Sequence, residues 1–129
     1  MPRSPAKPGN SQRRRYERAG RRGELFAELF LRLKLYRILG RRVKTPGGEI
    51  DLIAERGGVT VFVEVKARGR STDEMGAHAA VNQKRIVRAA EFWLSRHPDR
   101  YNRDMRFDVI FLAPFAPPRH IKNAFGASR

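Results

Sequence analysis

Four charged residues flank a pair of glycines in a pattern that can do chemistry. Glu49 and Asp51 precede Gly57-Gly58, and Glu64 and Lys66 follow it. The stretches Glu49–Ala54 and Thr60–Lys66 both alternate polar with apolar residues, as half-buried strands do, and Gly-Gly between them signals a two-residue hairpin turn. In that hairpin Arg56 pairs with Val59, and the register carried back sets Asp51 opposite Glu64 and Glu49 opposite Lys66. Directly opposed residues point to one side of a sheet, and so do residues two apart on a strand. Glu49, Asp51, Glu64 and Lys66 therefore share a face, extended by Ile53 and Phe62, while Ile50, Leu52, Val63 and Val65 share the other. A slip of one residue would destroy this sorting. Opposed carboxylates repel, yet with Cβ atoms about 4.5–5.5 Å apart they can share one divalent cation. The ordinary alternative is a solvated face crossed by salt bridges such as Glu49–Lys66. The acid–acid opposition and the apolar flank argue against it.

Other elements must position this hairpin. Phe26, Leu29, Phe30 and Leu33 recur at helical spacing, so a helix is expected from Gly23 to about Leu35 with that face buried. Tyr36–Val43 reads as a first strand, and Thr45-Pro46-Gly47-Gly48 as the turn before the hairpin. A polar loop covers Gly69–Gly76. A second helix follows from about Ala79 to Arg96, with Ile86, Ala89, Ala90, Trp93 and Leu94 as its buried stripe and Lys84, Arg88, Glu91 and Ser95 on the outer face. Pro98 ends that helix. Phe107–Leu112 is a buried strand, and Arg119–Asn123 fits one more short strand. The expected order is α-β-β-β-α-β.

The chain has 129 residues, the size of one domain, with 28 Lys and Arg against 13 Asp and Glu, a net charge of +15. Such a surplus favours a polyanion: DNA, RNA or an acidic membrane surface. Residues 1–22 carry eight basic residues against one acid, with three prolines, and read as a disordered basic arm ahead of a domain over 23–125. There is no cysteine, which excludes disulfides, thiolate zinc sites and cysteine nucleophiles. No apolar run is long enough to span a membrane and no secretory signal is legible, so a cytoplasmic protein is expected.

Gly48-Glu49-Ile50-Asp51-Leu52-Ile53 followed by Phe62-Val63-Glu64-Val65-Lys66-Ala67-Arg68 resembles the PD-(D/E)xK nuclease signature, an Asp, a short hairpin and then Glu-x-Lys. The chain more closely resembles the bacterial YraN family, a group similar to archaeal Holliday junction resolvases. The match runs from Gly23-Glu24-x-x-Ala27 through Lys84 to Arg106-Phe107-Asp108. The superfamily's proline is absent, since Ile50 stands before Asp51. The resemblance implies an α/β, restriction-endonuclease-like fold with a central mixed sheet and helices packed on it. It implies a metal-dependent endonuclease cutting branched or single-stranded DNA. Asp51 and Glu64 would bind Mg²⁺ or Mn²⁺, with the Val65 carbonyl as a third ligand. Lys66 would orient or deprotonate water or stabilise charge on phosphorus, and Glu24 would add a carboxylate from the first helix.

Arg68, Lys84 and Arg88 are candidate contacts to phosphate, against the ordinary reading of Lys84 and Arg88 as a solvated helix face. His78, His97 and His120 show no ligand spacing, Asp108 reads as structural, and Trp93 as core. A non-catalytic DNA- or RNA-binding module with the same fold is the competing function. A homodimer fits the nuclease reading, because symmetric resolution of a four-way junction needs two active sites.

Overall fold

In a computed structural model that describes residues 10–67 and 72–126, the order is α1 (Asn10–Leu33), β1 (Arg37–Thr45), β2 (Gly48–Arg56), β3 (Val59–Ala67), α2 (Thr72–Ser95), α3 (Pro98–Tyr101), β4 (Met105–Leu112) and β5 (Arg119–Phe125). The five strands form one sheet in sequence order. Neighbours are antiparallel except β3 and β4, which run parallel. A parallel pair needs a crossover, and α2 supplies it. The sheet is thus mixed, with helices packed on it, as the resemblance implies.

Each face of the sheet has its own core. On one, the stripe Ile86, Ala89, Ala90, Trp93 and Leu94 of α2 covers Ile50, Ile53, Phe62 and Phe107. The stripe is the one read from the sequence, and Lys84, Arg88, Glu91 and Ser95 are exposed on the opposite side. On the other face, Ala27 and Leu31 of α1 cover Leu52, Ala54, Val61, Val63 and Ile110, with Tyr36.

The first helix departs from expectation twice. It begins at Asn10 and not at Gly23, so residues 10–22, expected as part of an unstructured arm, belong to it. Arg, Gln, Glu and Ala are good helix formers, and their propensity outweighs the lack of apolar residues there. Residues 1–9 lie outside the described residues. Its buried face is also different. Ala27 and Leu31 are fully buried, whereas Phe26, Leu29 and Leu33 are more than half exposed. Of the predicted face only Phe30 is partly covered. The helix carries two apolar stripes, and the one with the small Ala27 lies against the sheet, where a short side chain lets the backbones come close. That choice of face also turns Glu24 and Glu28 toward β1.

The helix ends in paired bonds from the Tyr36 amide to the Leu31 carbonyl and from the Leu35 amide to the Arg32 carbonyl. Leu35 takes the left-handed position with φ 69°. This is the Schellman arrangement, and it turns the chain directly into β1. α2 begins at Thr72, inside the loop predicted over 69–76 and ahead of the predicted start at Ala79. Pro98 opens α3 at its first turn, where a missing N–H costs nothing.

Candidate metal centre

The β2–β3 hairpin turns at Gly57 and Gly58, with φ 59° and 79°. Its ladder follows the predicted register from Arg56↔Val59 to Leu52↔Val63. There it stops. Asp51 and Glu64, expected as the next opposed pair, are not paired, and the Asp51 carboxylate accepts the Val65 amide N–H at 2.8 Å. Like charges directly opposite are destabilising. The strands part where the acids would meet, and a side-chain oxygen replaces the lost backbone acceptor.

Alternation breaks at the same point. Leu52 and Ala54 face α1, but Ile50 and Ile53 both face α2. Ile50 therefore does not share a face with Leu52, Val63 and Val65 as expected. Across from Asp51, between the pairs Arg41↔Leu52 and Val43↔Ile50, stands Arg42 with φ 46°. Both strands are thus irregular at one level of the sheet.

The site gathers several acids there. Burial pushes the Asp51 carboxyl up, the Val65 amide partly offsets this, and neighbouring Glu24, Glu64 and Glu49 raise it further, to about 6. Burial also pushes Glu64 above the usual carboxylate range, against the pull of Lys66. Lys66 Nζ stands 3.8 Å from Glu64 and makes a loose ion pair. Glu24, on α1, accepts from Arg42 Nε at 2.5 Å. Beside it Glu28 binds Arg41 and Arg32, and the Arg41 bond chiefly holds its carboxyl below the ordinary value. Glu24, Leu25, Glu28, Arg41, Arg42 and Leu52 line an open pocket of about 320 Å³ between α1 and the sheet.

Of the sequence candidates, Glu24 and Glu64 each come within electrostatic reach of Asp51, with Lys66 beside Glu64. Among the described residues, no three His, Asp or Glu side chains already stand close enough to hold an ion. Glu24 and Glu64 are turned to their basic partners. The donor set nevertheless fits a hard cation: oxygen ligands, partly buried, with the Asp51 carboxyl pushed up first by burial and then by the neighbouring acids. Glu49 is exposed and does not pair with Lys66. Lys84 and Arg88 are exposed on α2. Arg88 and Arg85 flank the β1–β2 turn, where a Cβ on Gly48 would meet the Arg85 carbonyl at 3.0 Å. Arg68 lies outside the described residues.

Sequence reasoning missed Arg42. Carrying the register through the Thr45↔Gly48 turn would have found it opposite Asp51. It also missed a second polar cluster. Fully buried Asp108 accepts from Arg106, from His120 Nε2 at 2.7 Å and from the Asn123 amide at 2.9 Å. Lys34 in turn lies 2.8 Å from His120 Nδ1. Arg106 also donates to Tyr36. The cluster ties β5 and the end of α1 to β4 and supports the reading of Asp108 as structural.

The sequence profile of the uncharacterised protein family UPF0102 matches residues 23–112, from the start of the predicted domain through β4. The chain belongs to this family. A UPF0102 protein of Rhodopseudomonas palustris is 50% identical over 111 residues, covering 86% of this chain and 85% of the relative. One from a Bradyrhizobium species is 46% identical over 124 residues, covering 96% and 88%. One from a Chelativorans species is 48% identical over 115 residues, covering 89% and 93%. The UPF0102 match takes in Glu24, Arg42, Asp51, Glu64 and Lys66.

Proposed function

We propose that this UPF0102 protein is a divalent-metal-dependent endonuclease that hydrolyses phosphodiester bonds in branched or single-stranded DNA. The observation that carries the reading is the parting of β2 and β3 at Asp51, beside Glu64-x-Lys66. Partly buried acids held without enough counter-charge cost stability, and a cation is what relieves them. Asp51 and Glu64, with the Val65 carbonyl, would hold Mg²⁺ or Mn²⁺. The bound ion would polarise the phosphate and lower the pKa of a coordinated water. Lys66, as an ammonium, would orient the attacking water or stabilise charge on the phosphate oxygens as the new P–O bond forms and the old one breaks. Glu24 would take up a water or metal contact from the α1 side. The +15 charge supplies affinity for the backbone of the substrate, and exposed Lys84 and Arg88 on α2 fit that role.

The second reading is a nucleic-acid-binding module that does no chemistry. It is favoured by one observation, the engagement of Glu24 by Arg42 and of Glu64 by Lys66. Incubating the full chain with labelled junction, flap, single-stranded and RNA substrates in Mg²⁺, Mn²⁺ or EDTA separates the two. Metal-dependent cleavage that Lys66→Ala abolishes supports the nuclease. Binding without cleavage under every condition supports the module.

A further inference from the structure

Arg42 has a place that an ordinary surface arginine does not. It sits in the middle of β1 at φ 46°, a left-handed conformation that strains a non-glycine residue and persists only where its surroundings hold it. The register sets it across from Asp51. Its Nε donates to Glu24 at 2.5 Å, and both side chains are largely covered, 33% and 19% exposed. Asp51 and Glu49 also act on its charge. One guanidinium thus faces an acid from α1 and two from β2, among them two of the carboxylates assigned to catalysis. Glu28 does not compete for it, being bound by Arg41 and Arg32.

We propose that Arg42 is a built-in counterion for the acid cluster, which a divalent cation must displace from Glu24 in order to bind. The proposal rests on the metal-site reading above and adds to it a competition within the chain itself. Without metal, Arg42 neutralises Glu24 and softens the repulsion among Glu24, Glu49 and Asp51. When metal enters, the charge-assisted bond to Glu24 breaks, so the apparent affinity for the ion is lower than the carboxylates alone would give.

The test is titration of Mn²⁺ into the full chain without nucleic acid, read by calorimetry and by the shift in thermal midpoint. Arg42→Met is expected to bind Mn²⁺ about tenfold more tightly than wild type, the factor for freeing one charged hydrogen bond. Arg41→Met removes the same charge one residue away and is expected to leave the affinity unchanged. Should Arg42→Met not fold, Arg42→Lys keeps the charge and shortens its reach, and tighter binding is expected again. Equal or weaker binding by the Arg42 variants overturns the proposal, and so does an equal gain in Arg41→Met, which would mean a through-space effect of charge alone. Asp51→Asn separates the two layers of argument. If wild type binds Mn²⁺ and Asp51→Asn does not, the metal site stands whatever the Arg42 result. If wild type and Arg42→Met both fail to bind, the metal site falls and the competition falls with it.

Discussion

Replacing Asp51 by Asn removes one of the acids the fold holds at a cost, and the size of that cost follows from the structure. A rise of the Asp51 carboxyl from 3.8 to about 6 corresponds to about 3 kcal/mol against the charged folded form. Partial exposure to water screens this, and about 1–3 kcal/mol remains. The folded pKa lies above the unfolded one. The penalty is therefore absent below about pH 4, grows as the pH rises through 6, and is full at neutral pH. The side-chain amide oxygen of the replacement can still accept the Val65 N–H, so the hydrogen bond is kept. Asp51→Asn should make the metal-free protein more stable at about pH 7.5 by about 1–3 kcal/mol and leave it unchanged at about pH 4. Urea unfolding in EDTA at the two pH values measures it. Equal gains at both pH values would mean that the charge of Asp51 is not what costs stability. A loss at neutral pH would reveal a structural ion pair and refute the account of the site.

Removing residues 1–21 should leave the fold intact, because Ala27 and Leu31, the buried positions of α1 among the described residues, are kept. It should weaken DNA binding and flatten its dependence on salt, since seven basic residues go with it; an unchanged salt slope would show that this segment does not touch the backbone. For Asp108, burial raises the carboxyl, but His120, Arg106 and the Asn123 amide together hold it below its ordinary value. Its contribution is present above the unfolded pKa and is lost as the pH falls toward the folded one. Asp108→Asn should therefore destabilise the protein by about 1–3 kcal/mol at neutral pH and by less in acid, as pH-resolved urea melts would show. Trp93→Ala should cost about 3–5 kcal/mol at any pH, because Trp93 packs edge-on against Phe62 at 5.8 Å in the α2-side core. A cost below about 1 kcal/mol would remove α2 from the core.

Period and turn chemistry made most of the fold legible. The hairpin register to Leu52↔Val63 follows from two glycines and a two-residue alternation. The α2 stripe follows from a single apolar face. Legibility failed where a segment offered two answers. On α1, hydrophobicity alone favours Phe26, Leu29 and Leu33 over Ala27 and Leu31, and nothing local records that the sheet prefers close approach of a small residue. The helical start at Asn10 was hidden because charge and proline content describe residues 1–22 as a whole, while propensity acts residue by residue. The Asp108 cluster draws on Lys34, Arg106, His120 and Asn123. A partner set spread over three segments far apart in the chain leaves no spacing to read.

The site itself was half legible, and the part that failed is informative. The predicted ladder would have continued to Asp51↔Glu64 and kept Ile50 with Leu52. The observed ladder ends one pair earlier, Ile50 crosses to the α2 side, and Arg42 adopts a left-handed conformation across from the break. Pairing rules failed there because the sequence places an acid where regular pairing would oppose it to another acid. Nothing in folding alone calls for that. An apolar residue in place of Asp51 would bring neither the charge nor the side-chain acceptor that stand where the ladder ends. The chain instead keeps the acid and accommodates it through a change of face at Ile50, a side chain in place of a backbone acceptor and a strained arginine. Costs gathered at one level of the sheet, beside Glu64 and Lys66 and facing Glu24, are what a fold would bear if Asp51 is the functional group proposed above.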